Sequence, residues 1–116
     1  MNFFKYNDEY DTFVAEIDGV RFCCEEEKDE YKGQACNLAE VYEERLPEIV
    51  SFILSDVRDM FGDITEDELA DALGTPLIDL DREVVTYLEQ TLDDCHIIDV
   101  EYGGLLEKLY EVSIDG

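Results

Sequence analysis

The chain is predicted to fold as a single α+β domain over residues 1–116. An antiparallel β-sheet is built from an N-terminal hairpin and a C-terminal three-stranded meander. A long kinked helix and a short helix lie between them and pack on one face. Three observations predict this. Apolar residues alternate with period two on either side of Asp18-Gly19. A stripe of helical period runs through residues 34–61. The last forty residues alternate again between turn dipeptides.

Phe13, Ala15 and Ile17 alternate with Thr12, Val14 and Glu16, and Val20, Phe22 and Cys24 alternate with Arg21 and Cys23. Asp18-Gly19 between them is a two-residue hairpin signal, because both central residues of such a turn need positive φ. The charged run Glu25–Glu30, followed by Lys32-Gly33, reads as a loop. Ala35, Leu38, Ala39, Tyr42, Leu46, Ile49, Val50, Ile53, Val57, Met60 and Phe61 then follow the i, i+3, i+4, i+7 pattern of one helix face. Gly62 is placed as a C-terminal cap. Pro47 removes one backbone bond and crowds the carbonyl of Glu43, which predicts a kink or two abutting helices. Thr65-Glu66-Asp67-Glu68 is a capping box opening a short helix through Leu73, closed by Gly74 and Pro76.

The meander strands are placed at Glu83–Leu92, His96–Tyr102 and Leu105–Ile114, with turns at Asp93-Asp94 and Gly103-Gly104. Residues 82–92 also fit a helical spacing, but the run Val84-Val85-Thr86-Tyr87 favours strand. One face would carry His96, Ile98, Val100, Tyr102, Leu106, Tyr110, Val112 and Ile114. The other would carry Asp99, Glu101, Glu107 and Glu111.

Thirty-two acidic residues face eight basic ones, for a net charge of −24. With 46% hydrophobic residues, six Phe and seven Tyr, the chain is too apolar to be a disordered acidic tail. The acids are spread evenly. Residues 1–33 hold ten, residues 34–74 eleven and residues 75–116 eleven. This describes a uniformly acidic folded surface. Such a surface repels nucleic acid and anionic membranes and attracts a basic protein. Solubility needs a net charge of only about 2–8 in a small domain, so the excess calls for a basic partner steered in by the field.

No apolar run approaches the ~18 residues of a membrane span, and the N-terminus lacks the pattern of a signal peptide. The expected location is the cytoplasm. Cys23, Cys24, Cys36 and Cys95 form no C-x-x-C pair and read as buried thiols in a reducing compartment. Adjacent Cys23 and Cys24 would point to opposite faces of their strand.

Catalytic and metal motifs are lacking. His96 is the one histidine and reads as a structural residue on the apolar face of its strand. No nucleophile elbow or phosphate-cradling glycine loop is present. With one histidine and scattered cysteines, no zinc spacing is seen. Asp79-Leu80-Asp81-Arg82-Glu83 imitates the start of an EF-hand loop. It fails at the sixth position, where Val84 replaces glycine, and at the twelfth, where Gln90 replaces glutamate. No cofactor, metal or enzymatic activity is expected.

The acids themselves form two candidate surfaces. Glu40, Glu44 and Glu48 recur every four residues opposite the apolar stripe, about 6 Å apart along the helix. That is within reach of the spacing of alternate phosphates along one strand, about 7 Å. Asp99, Glu101, Glu107 and Glu111 form the second group. Val41, Phe52, Leu54, Ile97 and Leu109 fall outside the predicted core and could anchor a partner, as could Tyr87, depending on register.

The stretches Leu73–Asp79, Thr86–Glu89, Cys95–Gly104 and Ser113–Gly116 carry a resemblance. Their layout, within residues 35–116, resembles small acidic bacterial domains of the polymorphic-toxin immunity type. The resemblance implies a cytoplasmic, non-enzymatic protein that neutralises a basic toxin, and it assigns no site residue. The composite expectation is an inhibitor that docks carboxylates over the substrate-binding surface of a basic toxin or nuclease. The alternatives are a phage-type nucleic-acid mimic aimed at a restriction or CRISPR complex, and a small ligand-binding or housekeeping domain. Oligomeric state is not legible.

Overall fold

The computed structural model describes residues 3–93 and 95–115. Nine elements follow in chain order: β1 (Lys5–Asn7), β2 (Thr12–Ile17), β3 (Val20–Cys24), α1 (Asp29–Phe61), α2 (Glu66–Leu73), β4 (Leu77–Asp79), β5 (Val84–Tyr87), β6 (Ile97–Gly103) and β7 (Lys108–Asp115). The strands form one seven-stranded sheet whose spatial order equals the chain order. Every neighbouring pair is antiparallel except β3 and β4, which are parallel. A parallel pair cannot be joined by a tight turn, and this crossover is where both helices lie.

The predicted hairpin is present. Asp18 and Gly19 both adopt positive φ, 50° and 82°, as a primed two-residue turn requires. The hairpin and the meander are not separate units, however. The short β4 joins them, pairing Phe22↔Ile78 on one side and Ile78↔Val85 on the other. At three residues, β4 and β1 are too short to show a period in the sequence.

The long helix starts earlier than predicted, inside the run read as a loop. Asp29 and Glu30 occupy its first turn, where backbone N–H groups favour acids. Tyr31 is buried, and its hydroxyl donates to Asp81 in the β4–β5 turn. Pro47 lies inside one continuous helix, not between two abutting ones, and is exposed. At about 1.5 Å per residue the helix is about 50 Å long, so it sets the 46 Å long axis of the molecule. Its Tyr42, Ile49, Val50, Ile53 and Val57 are buried. The shorter helix, α2, has its capping box. Glu68 N donates to Thr65 Oγ1 at 3.1 Å, and Thr65 N donates to Glu68 Oε1 at 3.0 Å.

The sheet face under the helices is a continuous apolar row. Register places Ala15, Phe22, Ile78, Val85, Val100 and Val112 side by side across six strands. All six belong to or pack against the core.

The meander departs from prediction in detail. Residues 82–92 contain the strand Val84–Tyr87 and no helix. Of the expected Asp93-Asp94 turn, Asp94 lies outside the described residues. A bulge between Glu101 and Tyr102 shifts register, so Leu109 pairs with Tyr102 and packs against the core while Tyr110 is 63% exposed. The sequence places these two the other way round, because a bulge inserts one residue and inverts the alternation beyond it. Leu106 is buried in the β6–β7 turn rather than on a strand. Tyr87 faces the core and is fully buried. Cys23 and Cys24 are buried on opposite faces of β3, but Cys36 and Cys95 are exposed, which corrects the expectation of four buried thiols.

Candidate functional site

Among the described residues, the other face of the sheet carries no helix. Strand alternation sends a second set of side chains to it, and register aligns them in two rows. One row runs Val14, Cys23, Asp79, Val84, Glu101, Glu111, and the other runs Glu16, Arg21, Leu77, Thr86, Asp99, Ser113. Towards β7 these rows become acidic and enclose a polar concavity of about 300 Å³, with Arg82 the basic residue lining it.

The carboxylates here are held differently. Asp99 is fixed, its Oδ1 accepting from Thr86 Oγ1 at 2.7 Å. Asp79 shapes the β4–β5 turn, its Oδ1 accepting from the N–H groups of Asp81 and Arg82 at 3.0 and 3.1 Å. Asp81 accepts from Glu25 N at 2.6 Å and from the Tyr31 hydroxyl. The EF-hand imitation thus consists of turn and tethering residues. Glu101 and Glu111 lie directly opposite each other on β6 and β7. A hydrogen bond that the protonated Glu101 carboxyl donates to Glu111, with slight desolvation and the repulsion of the second carboxylate, raises the Glu101 carboxyl above its ordinary value.

The sequence-predicted residues fall into two groups on different layers. Asp99, Glu101 and Glu111 share the open sheet face. Glu40, Glu44 and Glu48 are exposed on α1, which covers the opposite face. Glu107 does not join the sheet group. It lies in the β6–β7 turn, accepts from Leu105 N at 2.6 Å, and lines a concavity of about 550 Å³ with Arg45, Glu48 and Phe52. Arg45 Nη1 bonds Glu48 at 3.2 Å, so one carboxylate of the helical row already has a cation beside it. No single flat surface unites all seven acids.

Among the predicted apolar anchors, Phe52 and Ile97 are each 37% exposed, whereas Val41 and Leu54 are partly buried. Tyr110 is an exposed aromatic that sequence reasoning missed. Its ring lies over Gly103, where an added Cβ would come within 2.6 Å of the hydroxyl. Gly103 follows Glu101 by two residues on the open face, which places this aromatic beside the Glu101–Glu111 pair.

A second grouping was also missed. Asp93, Cys95 and His96 bring a carboxylate oxygen, a sulfur and an imidazole nitrogen together, all within 4.8 Å of one another. Reading for His and Cys ligands alone hides it, because the third member is one aspartate among thirty-two acids. His96 precedes β6, with its ring edge-on to Phe61 at 5.5 Å.

Among the described residues no helix is long and apolar enough to cross a membrane. A scan of protein families finds no match to this chain, and neither do searches of curated proteins and of solved structures.

Proposed function

We propose that this protein is a non-enzymatic acidic binding domain acting in the cytoplasm, an inhibitor of the immunity type that neutralises a basic toxin or nuclease. The observation that carries this is the uncovered sheet face, lined by Asp99, Glu101 and Glu111, on a chain of net charge −24. Register sets the spacing of these carboxylates, with Glu101 directly opposite Glu111 and Asp99 held by Thr86. They would stand in for phosphates at the partner's binding surface. Glu101 and Glu111 repel each other across the strands, and a partner arginine set between them would relieve that repulsion by bidentate pairing. Tyr110 supplies apolar contact area beside the acids. The resemblance of residues 35–116 to immunity-type domains implies the same class of partner.

A pull-down from lysate of the source organism at low salt, eluted with a salt gradient, tests this. The expected result is one basic protein eluting late, whose purified activity this chain inhibits. A broad set of basic proteins released together at modest salt would reduce the interaction to non-specific polyanion behaviour. A captured DNA-binding defence complex would replace the immunity reading with nucleic-acid mimicry.

A further inference from the structure

We infer that Asp93, Cys95 and His96 form a binding site for a borderline-soft transition metal ion of the Zn²⁺ class, in the segment joining β5 to β6. The ligand atoms already converge. Cys95 Sγ lies 3.4 Å from His96 Nδ1 and 3.8 Å from Asp93 Oδ2, and Asp93 Oδ2 is hydrogen-bonded to the same Nδ1. Zinc–ligand bonds of about 2.0–2.3 Å in a tetrahedron place ligand atoms about 3.3–3.8 Å apart. The two sulfur distances match that spacing. The oxygen–nitrogen pair is joined by a hydrogen bond, and a metal entering between them would displace its proton together with the thiol proton.

The geometry separates metal binding from catalysis. A Cys–His–Asp relay needs the thiol on one ring nitrogen and the carboxylate on the other. Here both approach Nδ1, so the imidazole cannot pass a proton between them. Three different donors converging on one point is a ligand arrangement.

The supporting shell is built. Gln90 is a buried polar residue, and its side chain holds the segment from both ends. Its Nε2 donates to Asp93 Oδ1 at 3.0 Å and to the His96 carbonyl at 2.8 Å, and its Oε1 accepts from Leu92 N at 2.7 Å. Asp93 Oδ1 also accepts from the N–H groups of Cys95 and His96 at 3.2 and 3.0 Å. One carboxylate oxygen therefore anchors the loop and leaves Oδ2 as the ligand. Phe61 fixes the imidazole plane. Cys95 is exposed, so an ion can reach the thiol from solvent. The sulfur and nitrogen donors select against Mg²⁺ and Ca²⁺, which the acidic surface attracts loosely everywhere.

Cobalt(II) added to the reduced full-length protein tests this, with Zn²⁺ competition and 10 mM-scale Mg²⁺ (roughly a thousandfold excess) as the counter-ion control. The expected result is a thiolate-to-cobalt charge-transfer band saturating at one equivalent, removed by Zn²⁺ and untouched by Mg²⁺. Cys95→Ser, an exposed substitution, should abolish the band and weaken Zn²⁺ binding about tenfold or more, with an unchanged circular dichroism spectrum. Cys36→Ser should leave both intact. Absence of the band, its persistence in Cys95→Ser, or loss of metal to Mg²⁺ would overturn the site. None of these outcomes bears on the proposed partner, since the measurement needs none.

Discussion

Tyr42 of α1 and Tyr87 of β5 meet hydroxyl to hydroxyl, at 2.7 Å, inside the core. This bond ties the helix to the centre of the sheet. Burial raises the Tyr42 hydroxyl to about 12 and pushes the Tyr87 hydroxyl well above its ordinary value, so both remain neutral and the contact is O–H to O. Tyr87→Phe leaves the Tyr42 hydroxyl buried without its partner and should cost about 1–2 kcal/mol. The double Tyr→Phe variant should cost less than the sum of the singles, because it leaves no orphan. Urea unfolding of the four proteins measures the coupling, and strict additivity would show that the bond is not made.

Glu101 opposite Glu111 is a like-charge cross-strand pair, which opposes folding when both are ionised. The folded-state pKa of Glu101 is raised. The native state therefore binds its proton more tightly than the unfolded chain, and stability falls as pH rises from the unfolded value through the folded one. Glu111→Gln should melt higher than the parent at pH 7. The difference should shrink as pH falls and be lost by about pH 3, well below the ordinary glutamate range. Equal melting temperatures at both pH values would contradict this.

The capping box of α2 gives the opposite sign. Hydrogen bonds from the Thr65 backbone and hydroxyl hold the Glu68 carboxyl below its ordinary value. Its contribution is present above the unfolded pKa and is lost as pH falls through the folded one. Thr65→Ala should cost about 1 kcal/mol at pH 7. Leu69 and Leu73 anchor α2 in the core, so the helix should survive by circular dichroism while the urea midpoint drops.

Local signals in the chain foretold the local structure. Asp18-Gly19, the Thr65–Glu68 box and the apolar stripe from Ala35 to Phe61 each act within a few residues, and each is found where the pattern puts it, except that Met60 near the end of the stripe is exposed. What escaped was set by tertiary pairing. Leu77-Ile78-Asp79 becomes a strand only because β3 and β5 lie on either side of it. The helix extends back to Asp29 with Tyr31 held by Asp81, fifty residues away in sequence. The bulge that exposes Tyr110 has no residue signature, and it moved Leu109 inward and displaced Glu107 from the acidic face. Alternation still placed Asp99, Glu101 and Glu111 together, because all three precede or flank the bulge on the correct parity. The Asp93–Cys95–His96 grouping needed the Gln90 bonds to become visible.

The most direct measurement of the central claim is a salt-gradient pull-down repeated with two triple variants, Asp99→Asn/Glu101→Gln/Glu111→Gln and Glu40→Gln/Glu44→Gln/Glu48→Gln. Each removes the same charge from a different layer. The proposed docking face predicts that one basic protein is retained to high salt by the parent and by the helix variant, and released early by the sheet variant. Equal weakening by both variants would mean that only total charge matters, and would contradict a built docking face on the sheet.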